Sequence, residues 1–151
     1  MNFKWDIQKD TVPTYLKIDK LYKAIESGLK YVSKSCKNQV EFSRTSGQRE
    51  IIFGFEDFGD SDLSNGNWLL VKPNKFAVTF NTQYKWGTLY QFWQPMSIKM
   101  ITIHEAGHIL GLYHHSNDKG SVMHSNPYLP YFTSTDKSQL IYLTNPNRIK
   151  Q

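Results

Sequence analysis

The chain predicts an α+β fold, with one sheet and helices packed on it. Three observations carry that reading. Short runs of strand-like alternation fill the first eighty residues, a strongly amphipathic helix interrupts them, and a second helical pattern begins only after Ser97. At 151 residues, with 39% hydrophobic and 15% aromatic, the chain is expected to form a single domain over residues 1–151 with one core. It is too rich in aromatic residues to be disordered.

The elements follow in order. Phe3–Gln8 alternates Phe3, Trp5 and Ile7 against polar neighbours, as a strand does, and Asp10–Thr14 with Pro13 connects it onward. Ile18–Ser35 places Ile18, Leu21, Tyr22, Ile25, Leu29 and Val32 on one helical face, with Gly28 a weak point. Val40–Arg44 and Glu50–Phe55 read as strands joined by a turn at Ser46-Gly47. Asp57–Asn67 is a polar loop. Trp68–Lys72 and Phe76–Asn81 are two further strands, broken at Pro73-Asn74, and Trp86–Pro95 is aromatic and irregular. Ser97 caps a helix that runs to about Leu110, where Gly111 stops it. Ser116–Tyr131 is loop. Ser134 or Thr135 caps a last helix through about Leu143, ended by Asn145-Pro146.

Composition also excludes classes of function. Apolar runs no longer than Trp68–Val71 leave no membrane-spanning helix, and the charged N-terminus has no signal-peptide core. A lone cysteine, Cys36, forms neither an intrachain disulfide nor a cysteine-based zinc site. The net charge of +5 comes mainly from lysine, with Lys17, Lys20, Lys23, Lys30, Lys34 and Lys37 clustered along the first helix. That pattern fits the solvated face of an amphipathic helix, so nucleic acid is not expected as a partner.

All five histidines fall between residues 104 and 124. In HEAGHILGLYHH, His104 and His108 are one helical turn apart, so both imidazoles project from one face. Zinc takes three neutral imidazoles and keeps a fourth position for water. Glu105 can reach that water as general base without binding the metal. Gly111 can adopt positive φ at the helix end, which turns the chain and brings His114 back as the third ligand. By composition alone, His, Glu, His, Gly and His at these positions arise by chance on the order of once in 100,000 such sequences. Met123 follows in Ser121-Val122-Met123-His124 and is expected to floor the metal site.

With these residues the sequence resembles the metzincin zinc endopeptidases, and within them the matrixins. The likeness is strongest over Ser97–Met123, in HEAGHILGLYH and SNDKGSVM. Weaker likeness covers Val12–Ser35, Val40–Phe55, Trp86, and Ser134-Thr135-Asp136 with Leu140 and Leu143. The resemblance implies a twisted, mixed five-stranded sheet with one antiparallel edge strand, assigned here to Trp68–Lys72. It also implies three helices, the active-site helix being followed by a Met-turn. The cleft would lie between the edge strand and the loop after Met123, and part of Asn126–Tyr131 would wall its S1′ side. An extended protein or peptide substrate would pair with the edge strand. A monomer is expected.

The sequence departs from that family in three ways. The histidines of the family's second, structural zinc site are missing and the loop Asp57–Asn67 is short, so one catalytic Zn2+ is expected. Asp57, Asp60 and Asp62 offer oxygen ligands for Ca2+, but their spacing fits no cage, and an ordinary acidic loop is favoured. No cysteine-switch segment precedes the first strand, so latency is achieved otherwise or the domain has been trimmed; the compartment is left open. Finally, Met123 lies one residue too far from His114. His115 fits the downstream spacing and His114 the upstream one. The loop Ser116–Gly120 should absorb the insertion, leaving His114 as ligand and His115 facing away. The leading functional expectation is a zinc-dependent endopeptidase. The alternative is a catalytically inactive zinc-bearing binding or inhibitory module of the same fold, which would be expected to lose Glu105 or a ligand first.

Overall fold

The computed structural model describes residues 1–62, 64–88 and 96–150. Residues 89–95 of the irregular stretch expected between Trp86 and Pro95, and Leu63 of the polar loop, lie outside the described residues. The elements are β1 (Asn2–Ile7), α1 (Ile18–Ser35), β2 (Glu41–Arg44), β3 (Ile51–Glu56), β4 (Gly66–Lys72), β5 (Lys75–Asn81), α2 (Ile98–Ile109) and α3 (Ser134–Leu143). Single 3-10 turns occupy Lys9–Thr11 and Pro146–Lys150.

The strands form one sheet in the order β2-β1-β3-β5-β4. β1, β2, β3 and β5 are parallel, and only the edge strand β4 runs antiparallel to its neighbour. The expected mixed five-stranded α+β fold is therefore present. α1 carries the chain from β1 to its parallel neighbour β2, as a parallel connection requires.

One face of the sheet meets the helices. Trp5, Ile7, Ile51, Phe53, Phe55, Val78 and Phe80 are buried there against Leu21, Ile25, Leu29 and Val32 of α1 and Ile98, Ile101 and Ile103 of α2. Phe80 meets Phe53, Phe55 and Trp86, so aromatic contacts run through the layer. Ile18 departs from its expected place in the core and is 38% exposed at the first turn of α1. Cys36 packs as a small apolar residue, fully buried, and burial pushes its thiol up to about 11. The α1 lysines 20, 23, 30 and 34 stay in solvent. Among the described residues, no helix is long and apolar enough to cross a membrane.

At α3 the cap is Thr133, one residue before the expected Ser134 or Thr135. Its hydroxyl accepts from the Asp136 N–H while the Asp136 carboxylate accepts from the Thr133 N–H, a reciprocal capping box. Asp136 is buried and also accepts a 2.6 Å bond from the Ser121 hydroxyl, tying α3 to the turn that holds Met123.

Candidate metal centre

α2 is capped by the Ser97 hydroxyl, which accepts from the Met100 N–H at 3.2 Å. Every residue from Met100 to Ile109 is buried, so this helix is a strut through the core and its polar side chains need a reason to be there. It ends as its glycine dictates. Gly111 has φ of +111°, its N–H bonds to the His108 carbonyl, and the Leu112 N–H reaches back to the Gly107 carbonyl. This paired C-terminal closure satisfies the last carbonyls and turns the chain back along the helix.

His104 and His108 project from one face, as their spacing requires. The Nδ1 of His104 lies 2.6 Å from the Val122 carbonyl, and that of His108 lies 2.7 Å from the Leu112 carbonyl. Carbonyl oxygens only accept, so both Nδ1 atoms are the N–H donors and both Nε2 atoms carry bare lone pairs. Those two Nε2 atoms are 3.1 Å apart. Bare lone pairs at that distance repel unless a proton or a cation stands between them. Burial disfavours the proton: it is the main cause pushing His104 down to about 4, and it lowers His108 too. A shared cation resolves the conflict. Two nitrogens on a tetrahedral zinc, each at about 2.0–2.1 Å, would stand roughly 3.3 Å apart, close to the spacing seen.

The third imidazole is that of His115. The ligand atoms of His104, His108 and His115 all lie within 4.8 Å of one another, and no other such group of His, Cys, Asp or Glu occurs among the described residues. The expectation that His114 returns to this point and His115 faces away is corrected. His114 is exposed and does not line the cleft of His104 and His108; it faces a neighbouring cavity of about 440 Å3 with Gln139 and Tyr142 of α3, which His115 and Met123 also border. The reason lies downstream, where the supposed slack is stapled. The Ser116 N–H bonds to the Met123 carbonyl at 2.9 Å, holding His115 beside the turn that carries Met123. Asp118 accepts from the N–H of Gly120 and donates its own N–H to the Ser116 hydroxyl, and its carbonyl accepts from Ser121. Tyr113 and His114, which lie between the turn at Gly111 and His115, are both exposed.

These imidazoles and Glu105 line a cleft of about 260 Å3. One wall is the start of β4 with the residues leading into it, Ser64 to Trp68; the other includes Ser125 and Pro127. The cleft thus lies where it was expected, between the edge strand and the loop after Met123. Of the segment Asn126–Tyr131, Pro127 reaches it. Glu105 is 4% exposed, and burial pushes its carboxyl up to about 8. Met123 is buried against α2. A Cβ placed on Gly107 would lie 2.5 Å from the Met123 sulfur, so only glycine lets that side chain pack directly on the helix.

Four contributors were not foreseen from the sequence. Gly66 brings β4 down onto Glu105: a Cβ there would sit 2.7 Å from Ile101 Cγ2 and 3.0 Å from Glu105 Oε1. Gly107, just described, makes room for Met123. Trp68 stacks on His108, with ring centroids 6.0 Å apart. Asn81, fully buried at the end of β5, accepts from the N–H groups of Phe58 and Gln83 and donates to the carbonyls of Asp62 and Ser64. One amide thereby holds the loop that feeds β4. Isolated glycines and one asparagine give no sequence signal; the approaching residue in each case is distant in the chain. The acidic trio acts locally. Asp57 and Asp62 accept from backbone N–H groups two residues on, and Asp57 and Asp60 accept from the Gln83 amide.

Comparison with known families agrees with this geometry. The model of the matrixin family, peptidase M10, matches residues 1–140. The chain belongs to the matrixin family, a family of zinc metallopeptidases. No curated protein matches the chain.

Proposed function

We propose that this chain is a zinc-dependent endopeptidase in which residues 1–151 act as one catalytic domain, as a monomer, on extended protein or peptide substrates. The observation that carries the reading is the convergence of His104, His108 and His115 beside Glu105, in a cleft bordered by β4, the edge strand of the sheet among the described residues. In this proposal the three imidazoles hold the zinc, and the Val122 and Leu112 carbonyls fix the two helical rings in the ligating tautomer. Met123, in a Met-turn, floors the site.

When bound, zinc supplies Lewis acidity toward the scissile carbonyl and acidifies a water ligand. Glu105 takes a proton from the attacking water and passes it to the leaving amine. Burial raises its pKa, and a nearby dication would stabilise the carboxylate form that a base requires. The outer edge of β4 supplies backbone donors and acceptors to an extended peptide. Retention of Glu105 with three clustered histidines supports an active enzyme over an inactive module.

The test is a peptide-library digest by zinc-loaded protein, with and without a chelator. Cleavage that stops on chelation and returns with zinc supports the reading. Cleavage that survives exhaustive chelation overturns the zinc role, and intact peptides with fully loaded protein overturn the peptidase.

A further inference from the structure

α1 and α2 bury one side of the sheet, and the metal cleft opens on that same side, where Trp68 lines it. The other side has no role in the chemistry just described. Phe53 and Val78 are buried toward the helices, so their neighbours Ile52 and Ala77 face away from them. The strand register then sets Asp6, Ile52, Ala77 and Leu69 side by side across β1, β3, β5 and β4. Leu69 is 61% exposed and Val71 is 55% exposed. The loop between β2 and β3 crosses β1 on this side. Its Thr45 N–H bonds to the Trp5 carbonyl, and its Glu50 N–H bonds to the Lys4 carbonyl. The loop forms a wall. Ser46 to Glu50 face Val71 and Lys75 across a floor that includes Ile52, and the hollow between them is about 660 Å3.

We propose that this hollow, with the apolar band beside it, docks a protein partner through a segment whose aliphatic side chains are flanked by Asp or Glu. The charges choose that occupant. The carboxylates beside the hollow are already engaged. Glu50 accepts from the Lys4 N–H at 2.6 Å. Asp6 accepts from the Tyr22 hydroxyl and the Ile7 N–H, and lies 3.6 Å from Arg49. The cations are not engaged in the same way. Among the described residues, neither Lys72 nor Lys75 has a carboxylate within 4.0 Å. Arg49 is 41% exposed and uses one nitrogen on Asp6, so its remaining N–H donors are open. The open partners around an apolar floor are therefore cationic, which matches a segment with apolar side chains at its centre and carboxylates at its rim. A second copy docked face to face brings the same cations and the same engaged carboxylates, so it supplies no free acidic group. A flat lipid surface would rest on the loop wall and leave the hollow unfilled.

The test uses the full chain, zinc-loaded and carrying Glu105→Gln, with the peptides checked intact by mass spectrometry. Three labelled peptides of equal length are compared by fluorescence anisotropy. One alternates Leu with Glu, one Leu with Lys, and one Ser with Glu. The Leu/Glu peptide should bind at least about 10-fold tighter than either of the others. Adding Leu69→Ser, at an exposed position, should weaken it roughly 5- to 10-fold. Adding Lys75→Glu should weaken it by a similar factor and shift preference toward the Leu/Lys peptide. Zinc content and the unfolding midpoint should stay unchanged in both variants. Equal binding of the three peptides, no binding of the Leu/Glu peptide, or binding that survives both substitutions overturns the proposal. Sedimentation and flotation with phosphatidylserine vesicles address the other occupants. A dimer broken by Leu69→Ser, or vesicle retention lost in that variant, overturns the assignment to a protein segment. A monomer that stays off the vesicles supports it.

Discussion

The two walls of the cleft are built by different physics. The α2 wall is a buried helix whose repeat sets two imidazoles and a carboxylate in register, with backbone carbonyls locking the rings. The β4 wall is an exposed edge strand, with Leu69, Leu70 and Val71 all more than half exposed. Long-range contacts hold that wall in place: the amide of Asn81 beneath its loop, and Gly66 against Ile101 and Glu105. In the proposed function the chemistry sits on the buried wall and recognition on the exposed one. Changes to the first should alter metal binding or turnover, and changes to the second should alter how substrate is held.

The largest effect separates base from ligands on the α2 wall. Glu105→Gln keeps size and polarity but removes the base. Zinc content and the unfolding midpoint should be unchanged, while hydrolysis falls at least about 100-fold. Near-normal turnover in the zinc-loaded variant would place the base elsewhere.

Two glycines sharpen the contrast between the walls. Gly107→Ala drives a methyl into the Met123 sulfur, so it should cost about 1–3 kcal/mol by overpacking and weaken zinc binding. Gly66→Ala crowds Ile101 and the Glu105 carboxylate from the strand side. Zinc should stay bound while turnover drops. Competition with a colorimetric chelator and steady-state kinetics on both variants would show the two effects apart; equal zinc loss in both would erase the distinction.

A smaller effect is expected at the clamp. Asn81→Ala strands the N–H groups of Phe58 and Gln83 and the carbonyls of Asp62 and Ser64. Denaturant unfolding should report a loss of about 1–3 kcal/mol. KM should rise with zinc content intact, and an unchanged KM would detach the loop from substrate binding.

The smallest effect lies outside the cleft and serves as its control. Burial would raise the pKa of Asp6, but the Tyr22 hydroxyl, the Ile7 N–H, Arg49 and Lys9 together hold it below 3.8. Its stabilising contribution is therefore full above that value and fades as pH falls through the lower folded value. Unfolding followed from pH 6 downward should show this acid loss in the wild type and a shallower one in Asp6→Asn, with zinc binding at pH 7 equal in both.

Much of this was legible because it is local. The apolar period of Ile18–Ser35 gave α1 its observed bounds, and alternation found each strand to within two residues. His104, Glu105, His108 and the turn at Gly111 follow from helical spacing and from a glycine's freedom at positive φ. The mixed sheet and its antiparallel edge strand came from family resemblance, and the strand order was not legible, since pairing between β3 and β5 leaves no local pattern. His115 was missed because the Ser116–Met123 bond joins residues seven positions apart, and the loop between them reads as slack. The Thr133 cap was missed because several adjacent hydroxyls suit the role, and the choice depends on where Asp136 must also reach Ser121.

The central claim is that the buried wall completes its metal site with His115. Zinc per chain, measured by elemental analysis after dialysis of His114→Ala and His115→Ala in parallel, tests this directly. The account predicts about one zinc retained in His114→Ala, which alters an exposed side chain, and loss of zinc in His115→Ala with the fold preserved by circular dichroism. Zinc lost from His114→Ala and kept by His115→Ala would contradict it.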